Sequence, residues 1–322
     1  MTTQPIIRPW FKRLATVAAI LTYLLMVMGG VVRVTGSGLG CPDWPTCYGR
    51  LIPPLELHSI IEYSHRSIAA LAGTAIIITV AAAWLRYRHV RWIVWPATAI
   101  LGLLAAQVPL GALVVATELE SALVAFHLGM ALLIFACSLT VVVIAHHRPL
   151  SEPAAVSGSY RLLLTSSLIA LFIALSTGAL VVGSRASLAC PDWPLCHGGL
   201  FVPANGSPLI AIHLLHRYLV AATAILTVVV IVQTLREERR AAIPRIWPIL
   251  LGVLFAGQIS IGAIQVWLVL PALWRALHLA TACAVWAVVV IMTVKATAIG
   301  QPAPVEDPAQ SATVPQAQGS EA

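Results

Sequence analysis

Glu62-Tyr63-Ser64-His65-Arg66 heads the run Ser67-Ile68-Ala69-Ala70-Leu71-Ala72-Gly73-Thr74-Ala75-Ile76-Ile77-Ile78-Thr79-Val80, which stays apolar to Trp84. A helix needs about 20 apolar residues to cross the hydrocarbon core of a bilayer, and the stretch 61–84 supplies them. An acid and an imidazole three residues apart share one face of such a helix. That pairing is costly at the edge of a membrane and marks a functional position. The pentad recurs as His213-Leu214-Leu215-His216-Arg217, again heading an apolar run, with His213 standing where Glu62 would be.

The rest of the 322-residue chain has the same character: 59% of it is hydrophobic and 10% charged, with a mean hydropathy of +0.91. That balance belongs to a polytopic membrane protein, not to a soluble domain. The net charge of +7 comes without dense basic runs interleaved with aromatics, which excludes a nucleic-acid binder. Apolar runs predict eight spans, near 14–34, 61–84, 92–116, 121–144, 162–183, 209–234, 246–269 and 273–295. The first follows Arg8, Lys12 and Arg13 and runs through Gly29-Gly30 without an Ala-x-Ala site, so it reads as an uncleaved span. Residues 300–322, rich in Pro, Ala and Gln, read as a disordered cytoplasmic tail. Most Lys and Arg residues fall on the side of the termini, among them Arg86, Arg88, Arg91, Arg148, Arg161, Arg236, Arg239, Arg240, Arg245 and Lys295. Fewer fall opposite: Arg33, Arg50, Arg66, Arg185, Arg217 and Arg275. The positive-inside rule places both termini in the cytoplasm and the loops near 35–60, 117–120, 184–208 and 270–272 outside.

The chain is an internal duplication. Cys41-Pro42-Asp43-Trp44-Pro45-Thr46-Cys47 returns as Cys190-Pro191-Asp192-Trp193-Pro194-Leu195-Cys196, an offset of 149 (190 − 41). His65 to His216, His127 to His278, and Gln107-Val-Pro-Leu-Gly-Ala to Gln258-Ile-Ser-Ile-Gly-Ala all share an offset of 151. The second outer loop is therefore two residues longer. Four spans per repeat is an even number, so both halves have one topology and an axis along the membrane normal relates them. The expected fold is all-α: eight transmembrane helices as two tandem four-helix bundles, 1–150 and 151–299.

His65, His127, His216 and His278 each lie one to two turns inside an outer helix start, at similar depth. Helix N-termini disfavour the imidazolium and keep a neutral nitrogen available. Two neutral imidazoles from facing helices, one pair per bundle, are what a six-coordinate haem needs. Zinc would more often recruit carboxylates or thiolates at the same depth. Each pair of loop cysteines can close a small disulfide worth about 2 kcal/mol. The Pro-Asp-Trp-Pro filling and outer location favour disulfides over a four-cysteine zinc site shared by the two loops. Cys137 and Cys283 read as small hydrophobes inside spans. Glu62 is the asymmetric element, a carboxylate in the first bundle only. Arg66 and Arg217, each next to a histidine, either snorkel to the interface or pair with haem propionates, with Arg33 a further propionate candidate. Trp44 and Trp193 read as interfacial anchors. Glu56, Glu118 and Glu120 read as solvated, and His89, His146 and His147 as inert cytoplasmic residues. His58, His197 and His213 have no assignable role.

Three elements together resemble the haem A synthase family: Gly29-Gly-Val-Val-Arg-Val-Thr-Gly-Ser-Gly-Leu-Gly-Cys-Pro-Asp-Trp-Pro-Thr-Cys47, Glu62-x-x-His65-Arg66, and the repeat ending in His278. The resemblance covers all eight spans and includes both cysteine pairs of the bacterial form. It implies a membrane oxidoreductase that converts the C8 methyl of haem O to the formyl of haem A for cytochrome oxidase biogenesis. It further implies substrate haem O between His65 and His127, a resident haem b between His216 and His278, and Glu62 as the essential acid. Haem O synthase and cytochrome oxidase assembly factors are the implied neighbours, with an unidentified electron partner, in the bacterial cytoplasmic membrane. From the residues alone, a di-haem b cytochrome that only carries electrons accounts for the histidines equally well. Glu62 separates the two readings, because an electron wire has no use for an acid in one half. A transporter built from parallel repeats would leave the ligand set unexplained.

Overall fold

A computed structural model describes residues 7–146, 156–203, 205–236 and 243–299. Eight helices dominate it: α1 (Pro9–Val34), α2 (Leu57–Tyr87), α3 (Arg91–Ala116), α4 (Ser121–His146), α5 (Gly158–Gly183), α6 (Pro208–Arg236), α7 (Ile246–Trp267) and α8 (Ala272–Val294). All eight are long and apolar enough to cross a membrane. Among the described residues there is no strand, only two isolated bridges in the loops. The expected tail at 300–322, and His147 with Arg148, lie outside the described residues.

Helix starts follow local chemistry more than hydropathy. α1 begins at Pro9, ahead of its apolar run, because a proline in the first turn sacrifices no hydrogen bond and already holds a helical φ. The Ser157 hydroxyl caps α5 by accepting the Tyr160 N–H at 3.2 Å. Glu120, expected to be merely solvated, caps α4 instead, accepting from the N–H groups of Ala122 (3.0 Å) and Leu123 (2.8 Å). These bonds hold its carboxyl below the usual range. At the ends of α3 and α7, non-glycine pairs at equivalent positions turn left-handed: Glu118 and Leu119 (φ 54° and 67°), Val269 and Leu270 (φ 60° and 61°). This ends α7 at Trp267, two residues before the expected span end. Along the spans, hydroxyls are neutralised locally. Thr22, Thr79, Ser138, Thr234 and Thr293 each donate to the carbonyl four residues back, at 2.6–2.8 Å.

Consecutive helices pack side by side, and α4 returns to α1, closing a ring of four; α5–α8 close a second ring in the same order. The rings meet through α1–α8, α4–α5 and α4–α8. Exchanging the first four helices for the last four maps this set of neighbours onto itself, with α4–α8 at the centre. Burial agrees: 56% of the most apolar stretch of α4 and of α8 is buried, against 39% or less for every other helix. Equivalent aromatic pairs flank the seam, Tyr23–Phe135 with ring centroids 6.1 Å apart and Phe172–Trp286 at 5.9 Å. In each pair one ring carries a polar handle that crosses to the other bundle. The Tyr23 hydroxyl donates to Ala280 O and Trp286 Nε1–H to Leu132 O, both at 3.1 Å. At Gly30, an added Cβ would stand 2.6 Å from Leu279 Cδ2, so α1 and α8 approach as closely as they do only without a side chain there.

Candidate active site

The polar residues gather at the end of the bundles that carries the long loops. Both loops hold the disulfides expected from the sequence, Cys41–Cys47 and Cys190–Cys196. Each is followed by a two-residue hairpin turn with positive φ at both central residues, Tyr48 and Gly49 (54° and 68°) and His197 and Gly198 (54° and 73°). Tyrosine and histidine are poor residues for that conformation, and an aspartate in each loop offsets the cost. Asp43 accepts the N–H groups of Tyr48 (2.5 Å) and Gly49 (2.9 Å) as well as the Thr46 hydroxyl. Asp192 accepts from His197 (2.7 Å) and Gly198 (2.8 Å). The Thr46 hydroxyl first, then the Gly49 and Tyr48 N–H groups, pull the Asp43 carboxyl down to about 2. Asp192 is lowered for the same reason, led by the Gly198 N–H.

An arginine on the next helix clasps each loop. Arg66 donates from Nη1 to Asp43 O (2.6 Å) and Thr46 O (2.8 Å), and from Nη2 to Cys41 O (2.8 Å). Arg217 repeats the clasp on Pro194 O (3.3 Å), Leu195 O and Cys190 O (3.1 Å). The sequence offered these two arginines as interfacial snorkels or propionate partners; in the structure both donate to loop carbonyls. Arg33 stands differently. It lies within electrostatic reach of Arg185 and Arg275, which the sequence did not single out. Neither has an arginine at its repeat position. The available signal was that all three lie on the side where the positive-inside rule expects few.

The asymmetric position is equally well defined. Glu62 is 5% exposed, and its Oε1 accepts from Arg66 Nε at 3.1 Å, the single ion pair among the described residues. The same arginine thus joins the first disulfide loop to the carboxylate. His213, the counterpart of Glu62, places Nδ1 2.9 Å from Ala186 O. His58 binds the Ser37 hydroxyl (2.9 Å) and His197 the Ala189 carbonyl (3.0 Å). These three histidines, unassigned from sequence, pin the loops to the helix ends.

The four repeat-related histidines form a set apart. Each ring lies against a glycine of the preceding helix: Cε1 of His65, His127, His216 and His278 stands 3.1–3.2 Å from where a Cβ would be on Gly29, Gly111, Gly178 and Gly262. His65 and His127 are close enough for their charges to interact, and so are His216 and His278, giving one pair per bundle. Gln107 and Gln258 place Nε2 3.3 Å and 3.2 Å from Nε2 of His127 and His278. Nδ1 of His65, His127 and His278 and Oε1 of both glutamines are buried with no hydrogen-bond partner. Buried polar groups left without partners cost about 1–3 kcal/mol each. Among the described residues no three His, Cys, Asp or Glu side chains converge as a metal site. Paired imidazoles, one pair per bundle, are a donor set that a haem iron could take, whereas a tetrahedral zinc would ask for further ligands that do not converge there among the described residues.

Comparison with known proteins points the same way. The family model for COX15-CtaA, cytochrome oxidase assembly protein, matches residues 12–290. A "Heme A synthase" of Shouchella clausii is 31% identical over 263 residues, which is 78% of this chain and 85% of that protein. Another from Halalkalibacterium halodurans is 32% identical over 235 residues, 70% of this chain and 76% of the relative. A third from Geobacillus kaustophilus is 28% identical over 262 residues, 80% of this chain and 81% of the relative.

Proposed function

The chain belongs to the COX15-CtaA family of cytochrome oxidase assembly proteins, and from that premise we propose that it is a haem A synthase that oxidises the C8 methyl of haem O to a formyl group. It is an oxidoreductase of haem A formation. The α1–α4 bundle binds substrate haem O between His65 and His127, and the α5–α8 bundle holds haem b between His216 and His278. Haem b supplies one-electron redox chemistry when bound. The two termini face the cytoplasm of a bacterial cell and both sites open toward the outer surface.

The chain's own residues divide the work. The glycines under the four rings set the position of each imidazole, and the cluster of Arg33, Arg185 and Arg275 receives porphyrin carboxylates. The observation that carries the reading is Glu62. A carboxylate, one turn from His65 and 5% exposed, exists in one bundle only. Arg66 Nε holds Oε1 at 3.1 Å, which fixes the carboxylate and leaves Oε2 to face substrate. There it would accept the proton lost from the methyl carbon on C8 and stabilise positive charge developing on that carbon. Each hydroxylation takes hydroxide from water and releases two protons and two electrons, one proton by way of Glu62, the other to solvent, and the electrons to an external electron acceptor. The second gives a geminal diol, which loses water to the aldehyde. Water would be the oxygen source if His65 and His127 both held the substrate haem throughout the reaction. Label from dioxygen alone in the formyl group, with exchange controlled, would exclude the water route. A di-haem electron carrier remains the second reading, and Glu62 disfavours it.

The test is co-expression with a haem O synthase and identification of the extracted haems by mass spectrometry. Glu62→Gln is expected to abolish haem A while haem b remains bound. Unchanged haem A output from that variant would refute the role of Glu62, and no haem in the purified wild type would refute both haem readings.

A further inference from the structure

The two bundles present nearly identical imidazole pairs, yet the proposed function asks opposite things of them. One must keep its haem through every turnover; the other must admit a substrate and release a product. Most of the machinery is too symmetric to make that difference. Gly29 and Gly178 contact His65 and His216 alike, with ring Cε1 at 3.2 Å and 3.1 Å and Nδ1 at 3.7 Å and 3.6 Å from the added Cβ. Gln107 and Gln258 stand alike beside His127 and His278.

The residue before the contact glycine differs. In α5 it is Thr177, whose Oγ1 lies 3.3 Å from His216 Nδ1. The Thr177 hydroxyl proton is committed to Ala174 O at 2.9 Å, so toward the imidazole the oxygen can only accept. That arrangement favours the tautomer with the proton on Nδ1, which would leave the Nε2 lone pair free for a ligand. In α1 the equivalent residue is Met28. A thioether in that register offers no hydroxyl, and Nδ1 of His65 is buried without a hydrogen-bond partner. The Leu25 carbonyl stands toward His65 as the Ala174 carbonyl does toward His216, so the difference between the two rings lies in the hydroxyl.

We propose that the Thr177 hydroxyl is a positioning residue that makes the second bundle the permanent haem site, and that Met28 in its place leaves the first bundle's His65 an exchangeable ligand. A hydrogen bond accepted from the distal ring N–H fixes the tautomer, restricts rotation of the ring and raises the basicity of the ligating nitrogen; loss of such a partner typically weakens metal affinity about 10- to 100-fold. His216 has this support and His65 lacks it. The inference rests on the haem reading above and adds to it the reason the two halves are not interchangeable.

The test uses full-length protein purified in detergent and an excess of apomyoglobin as haem acceptor. Thr177→Val, which keeps the shape and removes the acceptor, is expected to lose haem b about tenfold faster or more, with the haem b midpoint potential moved upward. Thr177→Ser is expected to restore both. In protein co-expressed with a haem O synthase, Met28→Thr is expected to slow loss of haem O by a comparable factor. Equal loss rates and equal potentials for wild type and Thr177→Val would overturn the inference while leaving the haem reading intact. Wild type purified without any haem would overturn both. Loss of haem b from Thr177→Val and Thr177→Ser alike would assign Thr177 a packing role only and also overturn it.

Discussion

At the scale of single residues, the site is built by what is missing as much as by what is present. Gly262 faces His278 at a distance a methyl group would invade, whereas Gly257 in the same helix has open space around its Cβ position. Gly257→Ala is expected to be neutral or to gain a few tenths of a kcal/mol from helix propensity. Gly262→Ala is expected to displace the ring and lower haem content, read as loss of the low-spin absorption bands in purified protein. Asp43 offers a second residue-level test. Its carboxyl titrates at about 2 instead of the ordinary 3.8, so the ionised, hydrogen-bonded form is favoured by the fold. Its support for the loop is complete above the ordinary value and is lost as pH falls toward about 2. The rate at which a phosphine reduces Cys41–Cys47, compared between wild type and Asp43→Asn, is expected to differ by a constant factor from neutral pH to about 4 and to converge below it.

Helices and loops act as units through the arginine clasps. Arg66 and Arg217 each gather carbonyls from a disulfide loop onto the start of α2 or α6, a geometry that suits a planar fork and not a point charge. Arg217→Lys is expected to cost about 1–3 kcal/mol of stability, through carbonyls left without donors, and to expose the second loop to proteolysis. Arg66→Lys is expected to do the same to the first loop and, in addition, to release Glu62, lowering haem A formation where Arg217→Lys does not. The sequence placed a basic residue beside each histidine. Which carbonyls it would meet was not legible, because they come from residues 20–27 positions earlier in the chain, whose path depends on the disulfide and hairpin turn.

Across the whole molecule, the seam between bundles is held by α4 and α8, whose core residues are the most completely buried. Trp286 donates across it to Leu132 O. Trp286→Phe keeps the ring and deletes the donor, so a loss of about 1–2 kcal/mol is expected, read as a lower Tm in detergent with the haem spectrum retained. The membrane orientation argued from charge is tested by cysteine labelling in intact cells. Leu55→Cys, on a residue 94% exposed in the first long loop, is expected to react with an impermeant maleimide from outside, and Arg88→Cys only after permeabilisation.

The sequence by itself determined the eight spans, the duplication and the set of paired histidines, because hydrophobic length and a fixed repeat offset are one-dimensional signals. It also marked Glu62, since a comparison of two aligned repeats needs no coordinates. It could not say where the arginines would spend their donors. Nor did it show that Arg33 lies within electrostatic reach of Arg185 and Arg275, which come from separate segments, or that Glu120 caps a helix. Only the tertiary structure decided how far the two halves depart from each other around the same imidazole. Hydrogen-bond partners are chosen by angles and distances across helices. One hydroxyl stands beside His216 while Nδ1 of His65 is buried without a partner, a difference that adds to that of Glu62 and His213.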